Sequence, residues 1–302
     1  MTESMQRDVA GWWEGIEREL ASYPPAAETE HIPLYSTEFS DTHKVRLTSI
    51  GPYRIAGWLS VPKGEGPFPA LLMVPGYGSV VTPPPYEDRQ RYVVLSLIHR
   101  GQRHADWPYA AAYPGLLTDG IADPERWIYR GIAADLLRGF DYLASRPEVD
   151  PGRIGIFGMD TGLLIAARRS QARAVVTTAT FFYRLAEAAA RSSAYPVEEI
   201  NDWMRFSPEQ AAAVRRSLAL MDPLHQAARI RARVLLAAQE PGALGDREWL
   251  SPLRERIVQA EFHDLTYEGQ ADRDALDAWL AGQLGSEPRP RIWEAQEIGP
   301  WS

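Results

Sequence analysis

Apolar and polar positions alternate in two different patterns along the chain. From residue 70 onward, short and mostly apolar runs recur, which is typical of parallel strands buried on both faces of a sheet. Between them lie stretches whose apolar residues return at the spacing of amphipathic helices. Strands that alternate with helices predict an α/β fold with a mostly parallel central sheet flanked by helices. The runs are 70–74, 92–98, 153–157, 174–176 and 234–238, and the helical stretches are 127–145, 162–170 and 247–258.

The regions on either side of this pattern have their own character. Apolar residues at helical spacing predict an amphipathic helix near the start: Trp12, Trp13, Ile16 and Leu20. Two β-rich stretches, 44–50 and 53–61, are separated by Gly51 and Pro52 in the manner of a hairpin. We expect an N-terminal helical extension over 1–38, an α/β domain over 39–285 that includes a partial lid at 181–221, and a tail over 286–302.

Composition narrows the classes of function. The chain has 302 residues, a formal net charge of -8 and no cysteine. An acidic balance argues against nucleic acid or an anionic membrane surface as partner, and the lack of cysteine excludes thiol catalysis and Cys-ligated metals. The first residues lack the pattern of a signal peptide, and no apolar stretch approaches a membrane span. We therefore expect a cytoplasmic protein that acts on a small molecule without a cofactor.

One motif carries most of the chemical information. Gly158-Met159-Asp160-Thr161-Gly162 follows an apolar strand and opens a helix. In α/β hydrolases the pattern Gly-x-Ser-x-Gly forms a sharp turn at such a junction and presents the nucleophile. Asp stands here at the central position, and Asp tolerates the left-handed conformation of that turn better than most residues. The sequence therefore predicts that the turn keeps its geometry while the nucleophile class changes.

Several further segments give the chain a family resemblance. It resembles the acetyl xylan esterase and cephalosporin C deacetylase family of α/β hydrolases from about residue 39 to the last helix. The resemblance implies an α/β-hydrolase fold and a homo-oligomer, and it assigns the side chains of Arg100, Gln102, Tyr129 and Arg130 to bracing the loops under the site. The segments that carry it are 100–102, 113–124, 129–130 and 147–154.

The departures from the family bear on the mechanism. The resemblance places Asp160 where the family has its serine and Glu240 at the position of the catalytic acid. The position of the family's histidine falls on Asp272, or on Ala271 if the register slips by one residue. A serine triad of the usual kind is therefore absent. The backbone N–H groups of Tyr77 and Thr161 match the family's oxyanion donors, which do not depend on the side chain.

These positions leave several interpretations open. Asp160 can act as nucleophile, as in the dehalogenase and epoxide hydrolase branches of the fold, or as general base; alternatively it is a helix cap in an inactive site. If Asp160, Glu240 and Asp272 converge, like charges would raise one pKa and create a proton-sharing pair. Three carboxylates can also hold Mg²⁺ or Ca²⁺. The alternative is that Glu240 and Asp272 are solvated loop residues.

Other side chains complete the candidate site. His104 follows the Arg-Gly-Gln segment and can serve as a displaced acid or base, or lie on the surface. We interpret His225 and His263 as structural. Aromatic residues can line a pocket for a sugar or a planar molecule, or simply pack in the core or an interface. They are Trp107, Tyr113, Phe181 and Phe182.

Two functional hypotheses from different classes follow. The first is an enzyme that uses Asp160 as nucleophile or general base on a small ester, glycoside or specialised metabolite. The second is a pseudo-esterase that keeps the scaffold, has lost the triad and serves as a binding or assembly protein.

Overall fold

The central sheet is the frame on which every other element packs. The computed structural model describes residues 3–78, 80–103, 105 and 111–290. In this part of the chain nine strands pair in the order β1-β2-β3-β5-β4-β6-β7-β8-β9. The strands are β1 Glu28–His31, β2 Ser40–Thr48, β3 Arg54–Pro62, β4 Phe68–Val74, β5 Val93–Ile98, β6 Val149–Met159, β7 Ala172–Ala179, β8 Arg233–Ala238 and β9 Ala260–Asp264.

Strand directions divide the sheet into two parts. From β5 through β4, β6, β7 and β8 to β9 each neighbouring pair is parallel, whereas β1, β2, β3 and β5 pair antiparallel in succession. All five predicted apolar runs lie in strands, and the predicted hairpin is the β2–β3 pair, in which Thr48 faces Arg54. The α/β prediction with a mostly parallel sheet is therefore confirmed.

Helices cover both faces of the sheet. The buried apolar residues of α1, α2, α3, α6 and α7 belong to one continuous core, while α8 packs on the opposite face of the parallel strands. The predicted helices over 127–145, 162–170 and 247–258 correspond to α2, α3 and α7. The helices are α1 Glu3–Ser22, α2 Ile128–Ala144, α3 Thr161–Arg168, α4 Leu185–Ala189, α5 Glu198–Phe206, α6 Ala211–Met221, α7 Arg247–Arg256 and α8 Gly269–Leu284.

The N-terminal helix is tied to the domain by buried and charged contacts. The Trp13 side chain is buried, and its indole N–H donates to the carbonyl oxygen of Leu220 at 2.9 Å. Farther along the helix, Glu19 accepts from the Arg130 guanidinium at 2.6 Å. Helix α1 thus anchors both α2 and the segment that contains α4, α5 and α6, and that segment covers the carboxyl end of the parallel strands near Tyr77.

The beginning of the tail contacts the body of the protein. The Arg91 guanidinium donates to the carbonyl oxygen of Glu287 at 2.9 Å, and the backbone N–H of Arg289 donates to Asp277 at 2.7 Å. No helix within the described residues combines the length and the apolar character that a membrane crossing requires.

Candidate active site

The junction of β6 and α3 has the predicted location but not the predicted conformation. Asp160 has φ -62° and ψ -12°, in the right-handed helical region. The expectation of a left-handed central residue was therefore wrong, and the geometry of the turn is not kept. Gly158 instead carries the positive φ of 146°, and a Cβ there would lie 2.2 Å from the carbonyl oxygen of Val74. Only glycine fits this close approach of two strands.

The Asp160 carboxylate is turned into the protein. The residue is fully buried, and one carboxylate oxygen, Oδ2, accepts from the backbone N–H groups of Phe181 at 2.9 Å and Tyr183 at 2.8 Å. The other oxygen, Oδ1, is buried and has no hydrogen-bond partner. The side chain makes no capping bond to its own helix. Asp160 therefore joins the end of β6 to the loop after β7 and keeps one oxygen free.

Burial and hydrogen bonding act in opposite directions on this carboxyl group. Burial raises the pKa of Asp160, and hydrogen bonds from the backbone N–H groups of Tyr183, Phe181 and Phe182 lower it. The charge of the nearby Asp222 raises it again, and the net result of all these effects is a pKa of about 7. An ordinary Asp is fully ionised at neutral pH. Asp160 instead exchanges a proton near neutrality, as a general acid or base requires.

A small cavity lies between the neighbours of Asp160. Its volume, taken as the space open to the centre of a water molecule, is about 10 Å³, which is close to the minimum for one water. Tyr77, Thr161, Phe181 and Phe182 all line it, so the structure brings four predicted site residues together. The full lining is Pro75, Gly76, Tyr77, His99, Tyr129, Ile132, Leu136, Met159, Thr161, Phe181 and Phe182.

The two aromatic residues after β7 differ in their surroundings. Phe182 is buried and its ring packs 4.8 Å from that of Tyr129, as expected of a core residue. Phe181 is half-buried and its ring centroid lies 5.9 Å from that of Tyr77. Thr161 is the first residue of α3, where a helix leaves its N–H groups without intrahelical partners. The cavity therefore has aromatic walls and a helix N-terminus at one side.

The cavity is closed by a contact between the lid and the loop after β4. The Tyr77 hydroxyl donates to the carboxylate of Glu199 on α5, and Glu199 also accepts from the backbone N–H of Leu117 at 3.0 Å. Burial and this hydrogen bond raise the pKa of the Tyr77 phenol. A Cβ on Gly115 would lie 2.3 Å from the Glu199 carboxyl carbon, so glycine permits the approach. Sequence reasoning missed Glu199, because nothing near it in the chain marks a contact with residue 77.

Tyr113 lies at the outside of this lid and not in the cavity. Its side chain is exposed, and its hydroxyl donates to Asp202 on α5 at 2.9 Å. Its ring contacts that of Phe206 edge to face at 5.9 Å. The substrate-binding role predicted for Tyr113 stays a prediction, and the observed contact fastens α5 to the loop.

Glu240 and Asp272 have surroundings of their own. Glu240 is exposed and lines a separate open cleft of about 680 Å³ with Tyr267, whose hydroxyl accepts from the Glu240 backbone N–H at 3.1 Å. Asp272 accepts from His263 at 3.0 Å and from the backbone N–H groups of Thr266 and Tyr267. No described contact joins either carboxylate to Asp160. Their convergence with Asp160 stays a prediction, and the described part of the chain holds no acidic or histidine cluster suited to a metal.

Two predicted site residues, His104 and Trp107, lie outside the described residues. A different histidine, His99, lines the cavity and was missed altogether. His99 follows β5 directly and is buried. A lone histidine at the end of an apolar strand gives no sequence signal of its own, although the adjacent Arg100-Gly101-Gln102 segment does.

That segment holds the end of β5 in place. The Arg100 guanidinium makes two hydrogen bonds of 2.8 Å to the carboxylate of Asp135 on α2, which is fully buried. The Gln102 side-chain oxygen accepts from the backbone N–H of His99 at 3.0 Å. These contacts agree with the bracing role expected for Arg100 and Gln102, and they fix the backbone of the residue that enters the cavity.

Comparison with known proteins gives a consistent result. The family model described as acetyl xylan esterase (AXE1) matches residues 1–245. A curated relative, the acetyl esterase Axe7A of Xylanibacter ruminicola, is 22% identical over 168 residues, which cover 52% of this chain and 38% of the relative. The chain thus spans about two fifths of the length of this curated relative.

Solved structures of similar proteins share the fold. The acetyl xylan esterase from Paenibacillus sp. R4 aligns with a TM-score of 0.77 and 24% identity, covering 92% of this chain and 99% of the other. Acetyl xylan esterase 1 from Thermoanaerobacterium sp. JW/SL YS485 aligns with a TM-score of 0.76 and 19% identity, covering 91% and 98%. The fold is that of the α/β hydrolases, and by the extent of the family match the chain belongs to the acetyl xylan esterase family.

Proposed function

We propose that this protein is a hydrolase of small acetate-type esters in which the Asp160 carboxyl group replaces the serine as the chemically active group. Family membership supports ester chemistry. The observation that carries the proposal is the state of Asp160, a buried carboxyl whose pKa is raised to about 7 and whose Oδ1 has no partner. Such a group exchanges protons at neutral pH, as acid–base catalysis requires.

Of the two roles that the sequence leaves open, proton exchange is favoured over nucleophilic attack. A carboxyl nucleophile must be ionised, whereas the raised pKa of Asp160 keeps a proton on it near neutrality and its Oδ2 already accepts two backbone N–H groups. A covalent intermediate would also need a base to activate the water that releases it. An acid–base carboxyl needs one free oxygen, and Oδ1 supplies it.

The oxyanion of the tetrahedral intermediate would be bound by backbone N–H groups. Tyr77 and Thr161 line the same cavity, and N–H groups at such positions stabilise negative charge that develops on the carbonyl oxygen. The cavity as described has room for about one water and not for an acyl group, so the proposal requires the ester to enter by displacing the lid contact at Tyr77. Assisting roles for Glu240 and Asp272, and a homo-oligomeric state, stay predictions.

The burial of Asp160 favours a second candidate function, that of a family member without catalysis. A carboxylate whose bonds join β6 to the loop after β7 has a structural purpose of its own. In that case the lid contact at Tyr77 would preserve a binding surface, and no ester would be turned over.

Hydrolysis of ethyl acetate, whose alkoxide leaving group needs a proton, by wild type and Asp160→Asn separates the two candidates. Asn retains an oxygen for the N–H groups of Phe181 and Tyr183 but has no exchangeable acid. The proposal predicts a loss of kcat/KM of about 10²-fold or more with no covalent adduct in the intact mass. Asp246→Asn is the matched control, because Asp246 is also buried and accepts the backbone N–H groups of Trp249 and Gly242. Equal rates in all three proteins, or no turnover above background, would refute the proposal.

A further inference from the structure

The cavity lined by Met159 and Thr161, the two chain neighbours of Asp160, contains a histidine that the proposed function does not use. His99 is 5% exposed and lines this cavity together with Tyr77 and Thr161. Its position at the end of β5 places it between the loop that carries the oxyanion donor Tyr77 and the helix α2. The missing family histidine belongs to the loop after β9, so His99 reaches the site from a different strand.

Hydrogen bonding fixes the tautomer of His99. Its Nδ1 lies 2.5 Å from the carbonyl oxygen of Arg100. A carbonyl oxygen can only accept, so Nδ1 carries the hydrogen, and Nε2 is the nitrogen with a free lone pair. The backbone of His99 is held by Gln102, and that of Arg100 by Asp135. A base whose ring is oriented through its other nitrogen is the arrangement that acyl-transfer sites use.

The charge state of His99 suits a base at neutral pH. Burial lowers its pKa below the ordinary 6.5, the hydrogen bond to Arg100 and the charge of Asp135 raise it, and the Arg100 guanidinium lowers it. The phenols of Tyr77 and Tyr129, which line the same cavity, are neutral at this pH because burial raises the pKa of both. His99 is therefore an uncharged imidazole with an available nitrogen at pH 7.

We propose that Nε2 of His99 is the general base of this cavity and activates the water that attacks the ester. This inference rests on the proposed function. The water oxygen forms a bond to the acyl carbon while its proton passes to Nε2. The carbonyl then re-forms, the bond from the acyl carbon to the alkoxy oxygen breaks, and the alkoxide takes the proton of Asp160. The imidazolium returns a proton to the Asp160 carboxylate through solvent, and the acetic acid ionises.

Asp160 and His99 take different catalytic roles because their surroundings differ. Asp160, with its pKa raised, is the acid, and His99, with its pKa lowered, is the base. Titratable groups whose surroundings push their pKa values apart are the usual source of acid and base in one site. The pH profile of kcat/KM should therefore rise below pH 6.5 and fall near pH 7.

The test is the pH profile of ethyl acetate hydrolysis, whose ethoxide leaving group needs a proton, by wild type, His99→Gln and Asp160→Asn. Gln keeps a donor for the Arg100 carbonyl but has no nitrogen that accepts a proton. We expect His99→Gln to lose about 10²- to 10⁴-fold in kcat/KM together with the rising limb, and Asp160→Asn to lose the falling limb. His225→Gln is the matched control, because burial also lowers the pKa of His225, which lies outside the cavity lining.

The outcomes separate the two proposals. If His99→Gln keeps its rate within threefold while Asp160→Asn loses it, the role of His99 is overturned and the proposed function stands. If wild type does not hydrolyse the ester, both fall. Melting temperatures and circular dichroism check that the variants fold. His99→Gly with added imidazole provides a second measurement: restored activity supports a base at this position, and a lack of rescue in a folded variant contradicts it.

Discussion

Two regions at the carboxyl end of the sheet differ in the size of their cavities and in the burial of their polar groups. The first, formed by the ends of β4, β5 and β6 with α5 above them, encloses a cavity of about 10 Å³ whose polar groups are buried. The second, formed by the loops after β8 and β9, is an open cleft of about 680 Å³. Glu240 is exposed in this second region, and Asp272 is bound by donors of its own loop.

The two regions also differ in the chemical groups that they contain. A serine triad needs groups from both regions to meet, and the described contacts do not join them. In the first region, Tyr77, Thr161 and His99 line one cavity, and Asp160 directly precedes Thr161. Burial raises the pKa of Asp160 and lowers that of His99, whereas hydrogen bonds lower the pKa of Asp272 in the second region. The proposed function places the active chemistry in this first, closed region.

The contrast predicts opposite pH dependences of stability for the two regions. The pKa of Asp160 rises from 3.8 to about 7 on folding, so the folded state holds a proton that the unfolded state has released. Stability is then lost as pH rises from 3.8 to 7, by roughly 4 kcal/mol. Asp160→Asn removes this loss, so its free energy of unfolding relative to wild type should increase across that range. Urea unfolding between pH 4.5 and 8 measures the free energy of unfolding of both proteins. A difference between Asp160→Asn and wild type that does not change with pH would contradict the raised pKa of Asp160.

The closed state of the first region can be disturbed from outside the cavity. In Gly115→Ala the new Cβ collides with the Glu199 carboxyl group, 2.3 Å away at its carbon. Such overpacking costs about 1–3 kcal/mol and should separate α5 from Tyr77. Denaturant unfolding measures the loss, and hydrogen exchange of 195–206 reports the lid. Gly282→Ala is the control, because no neighbouring atom lies within 4 Å of its Cβ. Equal stability of the two variants would contradict the lid contact.

The smallest effect is expected for Asp272 in the second region. Burial alone would raise its pKa, but the N–H groups of Thr266 and Tyr267 and the side chains of His263 and Thr266 outweigh burial and lower it. Its stabilising contribution is therefore present above pH 3.8 and is lost as pH falls through the folded pKa. Asp272→Asn should cost about 1 kcal/mol at pH 7 and less in acid. Thermal unfolding from pH 2.5 to 7 tests this, with the exposed Glu240→Gln as control; a cost that grows in acid would be inconsistent with it.

The sequence predicted those elements that bury apolar side chains on both faces. β4 to β8 appear as apolar runs because the sheet interior admits little else. β1, whose four residues are all exposed, carries no such signal, and β9 alternates too weakly to stand out. The predicted turn at Gly158–Gly162 was placed correctly because strand, glycine and helix signals lie within a few residues of one another.

The chemistry of the site depended on contacts that are distant in the chain. Asp160 is bound by N–H groups 21 and 23 residues away, and these draw its side chain inward, so the motif alone suggested the wrong backbone conformation. Tyr77 and Glu199 are 122 residues apart. His99 carries no motif of its own, and only the fold of β5 against β4 and α2 brings it beside Tyr77. Local pattern therefore locates the site but cannot set the protonation or exposure of its groups.

The most direct test compares one carboxylate from each region in the same assay. The kcat/KM for ethyl acetate, whose leaving group needs a proton, is measured at pH 7 for wild type, Asp160→Asn and Asp272→Asn, with folding checked by melting temperature. We expect a loss of about 10²-fold or more for Asp160→Asn and a change of less than about threefold for Asp272→Asn, whose oxygens are already bound within their own loop. A large loss in Asp272→Asn with full activity in Asp160→Asn would contradict the assignment of the chemistry to the closed region.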